Sequence, residues 1–182
     1  MTLTRLLPLL ALVVAACGIP LDAEPETVTV DAAGSPDVPD EFSGDLAAVT
    51  IYLVSDEALV RVTRDLPEGA NLQSILESLL GRVTLPEERS NLRSSISAGT
   101  ELIGVDQEQN VAHIDLSSDF AVVGGEEEIL AVAQIVLTAT SVDGIDLVAF
   151  QLEGVPTDVP VSSGALSIEP VAAADYTALV SP

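Results

Sequence analysis

The chain has 182 residues, enough for one domain of ordinary size with some to spare, and carries 29 acids against six arginines and no lysine, a formal charge of -23. That balance excludes readers of DNA or RNA, which need a basic stripe to neutralise phosphates, and direct attraction to anionic lipid headgroups. With 48% hydrophobic residues the chain is not disordered throughout, and with 3% aromatics and no Trp its core must come from Val, Leu, Ile and Ala.

Arg5 is the only charge ahead of an apolar run from Leu6 to Ala16, and small residues close that run. A basic start, a short apolar segment and small residues at its end describe a secretory signal, here residues 1–16. The run is too short to span a bilayer, which takes about 20 helical residues. Val14, Ala15 and Ala16 lead directly into Cys17, the chain's only cysteine. Aliphatic, small, small, Cys is the pattern of a bacterial lipobox, and resembles the substrates of the lipoprotein pathway. The resemblance implies cleavage before Cys17, a diacylglyceryl thioether on it and membrane attachment through it. A lone exported thiol has no disulfide partner, and its place at the cleavage point accounts for it.

Residues 17–47 then read as the lipidated cysteine and an acidic tether. Pro20, Pro25, Gly34, Pro36, Pro39 and Gly44 punctuate it, and eight acids face no basic residue. Such a segment buries too little apolar surface to offset its ordering entropy. Thirty residues of flexible coil span roughly 30 Å and would hold a domain just clear of a membrane.

Residues 48–182 form the domain. Val49, Ile51 and Leu53 alternate with Thr50 and Tyr52, and Leu59 to Thr63 follow after a short polar turn, predicting a hairpin. Leu72, Ile75, Leu76, Leu79 and Leu80 recur at helical spacing between an Asn71 N-cap and Gly81. Thr84 and Glu87 have the spacing of a capping box and open a short helical turn toward Arg93. Glu101 to Val105 and Val111 to Leu116 predict a second hairpin, with His113 and Asp115 on the face opposite Ala112, Ile114 and Leu116. Gly124 and Gly125 precede Glu126, Glu127 and Glu128, carboxylates that suit the first turn of a helix. Ile129, Val132, Ala133, Val136, Leu137 and Thr140 continue it as a buried stripe. Ile145 to Leu152 is a further strand. The predicted fold is α+β, a two-layer sandwich in the order ββαββαβ, with two long helices on one face of a mixed sheet.

Six segments in this order resemble the GerMN domain of sporulation and germination lipoproteins, over about residues 48–177. Thr50 to Leu53 with Leu59 to Arg64 is similar to its first hairpin, and Ile75 to Gly81 to its first helix. Ile96 to Leu102 resembles its Ile-Pro-x-Gly-Thr-x-Leu turn, with Ser97 where proline is usual. Val111 to Ser117 with Phe120, Gln134 to Thr138, and Val148 with Glu153 and Gly154 complete the set. The resemblance implies a membrane-anchored protein on the outer face of a bacterial cell, a fold similar to ring-building modules of sporulation complexes, and no catalytic residues to carry over.

The remaining chemistry is sparse. His113, the only histidine, could join Asp115 and Ser117 or Ser118 in a hydrolase, but no nucleophile elbow accompanies it. One histidine and no thiol beyond Cys17 give too few ligands for zinc, so neither metal nor cofactor is expected. Asp106, Glu108 and Asn110 mimic the start of a calcium loop without its glycine or terminal Glu, and read as a turn. Gly124 and Gly125 ahead of a helix could cradle phosphate, but the three adjoining Glu would repel it. Arg61 and Arg64, and Arg82, Arg89 and Arg93, are expected to pair with neighbouring acids. The expected function is therefore that of a non-enzymatic, lipid-anchored module that binds or assembles another envelope protein. A carrier with an internal apolar cavity and a hydrolase using His113 are the alternatives.

Overall fold

The computed structural model describes residues 44–122 and 124–181. The signal segment, the lipobox residues Val14, Ala15 and Ala16, Cys17 and the tether up to residue 43 lie outside the described residues.

Strands β1 (Leu46–Ser55) and β2 (Ala58–Pro67) form the first hairpin, in register from Ser55 with Ala58 to Leu46 with Pro67. Asp56 takes a positive φ of 55° in its two-residue turn, a conformation that Asp tolerates better than most residues. Helix α1 (Leu72–Leu80) starts where the sequence places it: the Asn71 side chain accepts from the Ser74 amide at 3.0 Å. It buries Leu72, Ile75, Leu76 and Leu79 and ends at Gly81. The short helix α2 (Leu85–Arg89) follows, with the Glu87 carboxylate accepting from the Thr84 amide at 2.7 Å as a capping box requires. Strand β3 (Leu92–Arg93) then pairs with the end of β1.

Strands β4 (Leu102–Glu108) and β5 (Val111–Leu116) make the second hairpin. A 3-10 turn (Ser118–Val122) leads toward α3 (Glu126–Ala139), which crosses over to β6 (Leu147–Leu152), parallel to β5. The short strands β7 (Val155–Pro156), β8 (Val159–Pro160), β9 (Leu166–Ser167) and β10 (Val171–Ala172) and a 3-10 helix (Ala173–Leu179) complete the described chain.

The α+β class stands, but two features differ from the sequence expectation. The mixed sheet is divided: β2-β1-β3 form one sheet, β10-β6-β5-β4 with β7 a second, and β8-β9 a two-stranded third. The two long helices reduce to one, because α1 has nine residues and α3 has 14. Both helices pack on the inner face of the second sheet, where Ile135 of α3 and Leu76 and Leu80 of α1 meet Leu102, Ile114 and Leu116, and side chains of α3 also bond along the edge of β1. Every residue of α3 from Leu130 to Ala139 is buried, so this helix is the centre of the core rather than an outer layer.

That central position has a polar requirement, because a sheet ending inside the protein leaves backbone groups that must find partners. Gln134 and Thr138, both fully buried, supply them. The Thr138 hydroxyl oxygen accepts from the Tyr52 amide at 3.1 Å, and Gln134 Nε2 donates to the Tyr52 carbonyl at 2.9 Å. Gln134 Oε1 accepts from the Ser95 amide at 2.7 Å. One turn further on, the Ser141 hydroxyl donates to the Thr138 carbonyl at 2.7 Å and lies 3.3 Å from the Thr50 carbonyl. Gln134 and Thr138 thus continue the ladder of β1 beyond the short strand β3.

Candidate functional site

The outer face of the second sheet collects most of the chemistry singled out in the sequence. Strand alternation turns Ala112, Ile114 and Leu116 into the core and leaves His113 and Asp115 half-buried on the opposite face. Register sets Asp106 opposite His113 and Gln151 beside Asp115. An open groove of about 590 Å³ runs over these residues, bordered by Glu108 and by the exposed Ile103.

The groove does not bring His113, Asp115 and Ser117 together as a triad. His113 Nε2 lies 3.9 Å from Glu108 Oε2, a carboxylate that is 82% exposed. Asp115 does not orient the imidazole, because its Oδ1 accepts from the Gly154 amide at 2.9 Å. Ser117 is four residues from His113, about 13 Å along extended backbone, and its hydroxyl oxygen accepts from the Glu101 amide at 2.9 Å. Ser118 has its amide bonded to the Glu153 carboxylate at 3.0 Å. Asp115 and Ser117 therefore serve separate structural contacts rather than one reaction centre with His113.

Of the other sequence candidates, Asn110, Arg64 and Arg93 have polar partners and Arg61 meets Tyr52, whereas Arg82 and Arg89 form no ion pair among the described residues. Asn110 donates to Asp146 Oδ2 at 2.9 Å, and its carbonyl accepts from the Asp146 and Leu147 amides. It anchors the β4–β5 turn to the start of β6, away from any array of oxygen ligands. Among the described residues no group of three or more His, Cys, Asp or Glu is arranged around a point that could hold a metal ion. In the first turn of α3, Glu127 receives both guanidinium nitrogens of Arg93 at 2.8 and 2.9 Å. The hydrogen bond from Arg93, reinforced by Ser95, holds its carboxyl below the ordinary range.

Arg64 and Glu87 form the buried counterpart of that pair. Arg64 donates from Nε and Nη2 to the two carboxylate oxygens at 2.9 and 2.8 Å, and its Nη1 donates to the Ser78 carbonyl. Their side chains retain 11% and 9% exposure. The Arg64 hydrogen bonds lower the Glu87 carboxyl below its ordinary value despite the opposing effect of burial. This pair ties the end of α1 and the start of α2 to β2. Arg61 lies 6.0 Å from the centre of the Tyr52 ring and within 3.3 Å of its hydroxyl.

Between the helices and the second sheet the gap lined by Leu76, Leu80, Leu102, Ile114, Leu116 and Ile135 holds no water-sized space. An open groove of about 430 Å³ with a mostly apolar lining runs over Leu80, Val83, Leu92, Ile96 and Ala98. Elsewhere Phe120 and Phe150 stack at 6.2 Å, and buried Tyr176, its phenol pushed up by desolvation, donates to the Pro160 carbonyl at 2.9 Å.

Sequence reasoning missed the sealing role of Gln134 and Thr138. The signal was present as two polar residues four apart inside an otherwise apolar helix, a spacing that places both on one face.

No curated protein matches the chain. Among solved structures it is similar to the tandem GerMN domains of the sporulation protein GerM from Bacillus subtilis, with TM-score 0.58 and 22% identity over 70% of this chain. It spans 46% of that tandem chain. The first GerMN domain of the same protein alone matches with TM-score 0.54 and 21% identity, over 69% of this chain and 97% of that one. A candidate lipoprotein from Clostridium perfringens matches with TM-score 0.50 and 16% identity, over 74% of this chain and 93% of that one. The family model Germane, described as sporulation and spore germination, matches residues 41–158. The chain therefore belongs to the Germane family of sporulation and spore germination.

Proposed function

We propose that this chain is a lipid-anchored extracytoplasmic protein whose GerMN-type domain acts as a non-catalytic binding or assembly module in the bacterial envelope. The observation that carries the reading is the run Val14, Ala15, Ala16, Cys17 at the end of an apolar segment. An acidic tether and a domain of a sporulation and germination family follow it. Lipid on Cys17 confines the domain to the membrane surface and raises its effective concentration toward envelope proteins. The domain's own architecture supports a binding role. The Asp115 carboxylate and the Ser117 hydroxyl are engaged in separate structural bonds, and the gap between the helices and the second sheet is filled.

In-cell cross-linking and affinity capture of the tagged full-length chain, compared with Cys17→Ser, test this reading. Native chain is expected in the membrane fraction with a diacylglyceryl mass on its N-terminal peptide. It captures a discrete envelope protein that Cys17→Ser captures weakly or not at all. An unlipidated native chain, or the same capture by both forms, would overturn it.

A further inference from the structure

The backbone groups of Tyr52 point away from β2, since they bond to Thr138 and Gln134 of α3. Tyr52 is in register with Arg61, so this is a pair that exchanges no ladder bonds, and the Arg61 backbone groups also point outward, to the free side of β2. By the two-residue period Thr63 and Asp65 present their groups on that side as well. Leu59 does too, and there the edge is already taken: the Ser181 amide donates to the Leu59 carbonyl at 2.8 Å. From Arg61 to Asp65 no partner meets these groups among the described residues, and all three side chains on this register are exposed.

An open edge invites another strand, and proteins commonly blunt it with like charges that repel a copy of themselves. This edge is charged differently. Arg61 and Asp65 flank Thr63 symmetrically, two residues to either side. When β2 meets a second β2 antiparallel about Thr63, Arg61 of each copy lies opposite Asp65 of the other, and Thr63 opposes itself. Each facing pair in that register exchanges backbone hydrogen bonds, and the two ion pairs are opposite-charge cross-strand neighbours. The charge of the whole molecule makes this selective. Two copies at -23 repel, so a contact between them must set arginine against acid.

We infer that the β2 edge, centred on Thr63, is a homotypic contact through which two copies of this chain join their three-stranded sheets into one. The contact is isologous, so it closes at two copies and does not extend into a filament. It is also short, which makes it weak in dilute solution and favoured where copies are concentrated. The inference rests on the strand edge alone and goes beyond the anchored-module reading. Its test does not require lipidation.

The full chain carrying Cys17→Ser, so that no native thiol remains, provides the test. With Thr63→Cys added, mild oxidation is expected to give an interchain disulfide, because directly opposed strand residues sit about 5.5 Å apart at Cα. Asp143→Cys, on an exposed loop, is expected to cross-link at least tenfold more slowly. Sedimentation of the chain without added cysteines is expected to show dimer growing through the high micromolar range. Asp65→Arg should weaken dimerisation about tenfold by placing like charges opposite each other twice. Arg61→Asp combined with Asp65→Arg should restore it, since the exchanged charges remain complementary across the two-fold axis. Equal cross-linking at Thr63→Cys and Asp143→Cys would overturn the inference. So would failure of the charge exchange to rescue, which is read without any cysteine. A third contrary outcome is an intrachain disulfide between Thr63→Cys and Val28→Cys, which would put the chain's own Thr27–Val30 segment on the edge.

Discussion

Along β1, the amide and carbonyl of Tyr52 are met by Thr138 and Gln134 of α3, and Val54 pairs with β3. Along β2, only Leu59 is met among the described residues, and Arg61, Thr63 and Asp65 are exposed. The two edges belong to one hairpin with the same backbone chemistry, and they differ in dielectric surroundings. The inner edge is buried, where an unpaired amide or carbonyl costs about 1–3 kcal/mol, so the sequence must place polar side chains inside its most buried helix. The outer edge is wet, where water satisfies the same groups at no such cost. Gln134 and Thr138 in the core of this domain therefore mark backbone closure.

The largest break in this contrast is expected from Gln134→Leu. It leaves the Tyr52 carbonyl and the Ser95 amide without partners in a dry site, and should destabilise the domain by about 3–4 kcal/mol in urea unfolding. Glu87→Gln comes next, at about 2–3 kcal/mol, because it strands the nearly buried Arg64. This pair also sets an acid response. The Glu87 carboxyl titrates below its ordinary value of about 4.5 in the fold, so its contribution is complete above that pH and is lost as pH falls through the lowered value. Unfolding free energies at pH 7 and pH 3 should differ less in Glu87→Gln than in the native chain. Thr138→Val removes one acceptor from the Tyr52 amide while keeping the shape, and should cost about 1–2 kcal/mol. Thr63→Val on the outer edge should change stability by less than about 0.5 kcal/mol in the monomer, since its side chain and backbone face water.

The local elements were legible in the sequence because their signals are local. Asn71 and Gly81 bracket α1 as expected, and the alternation from Val49 to Thr63 identifies a hairpin that the structure extends to Leu46 and Pro67. The second hairpin reaches Glu108 where the sequence reading stopped at Val105, because the polar Asp106 and Gln107 carry no apolar alternation to reveal the strand. The division into separate sheets was not legible. It depends on which edge of β1 the crossover helix occupies, a relation between residues more than 80 positions apart. The short C-terminal strands β8, β9 and β10 are two residues each, too brief for periodicity to register. At the candidate site the sequence placed His113 and Asp115 together on one face of β5, as observed. It could not show that Asp115 and Ser117 each receive a backbone amide, Gly154 and Glu101 respectively.

Residue-resolved hydrogen exchange on the full chain in dilute solution compares the two edges directly. The account predicts strong protection of the Tyr52 amide, approaching that of the global unfolding reaction, and rapid exchange of the Arg61, Thr63 and Asp65 amides. Exchange of Tyr52 as fast as Thr63 would contradict the sealing role of α3. Slow exchange at Thr63 in the monomer would contradict the open edge.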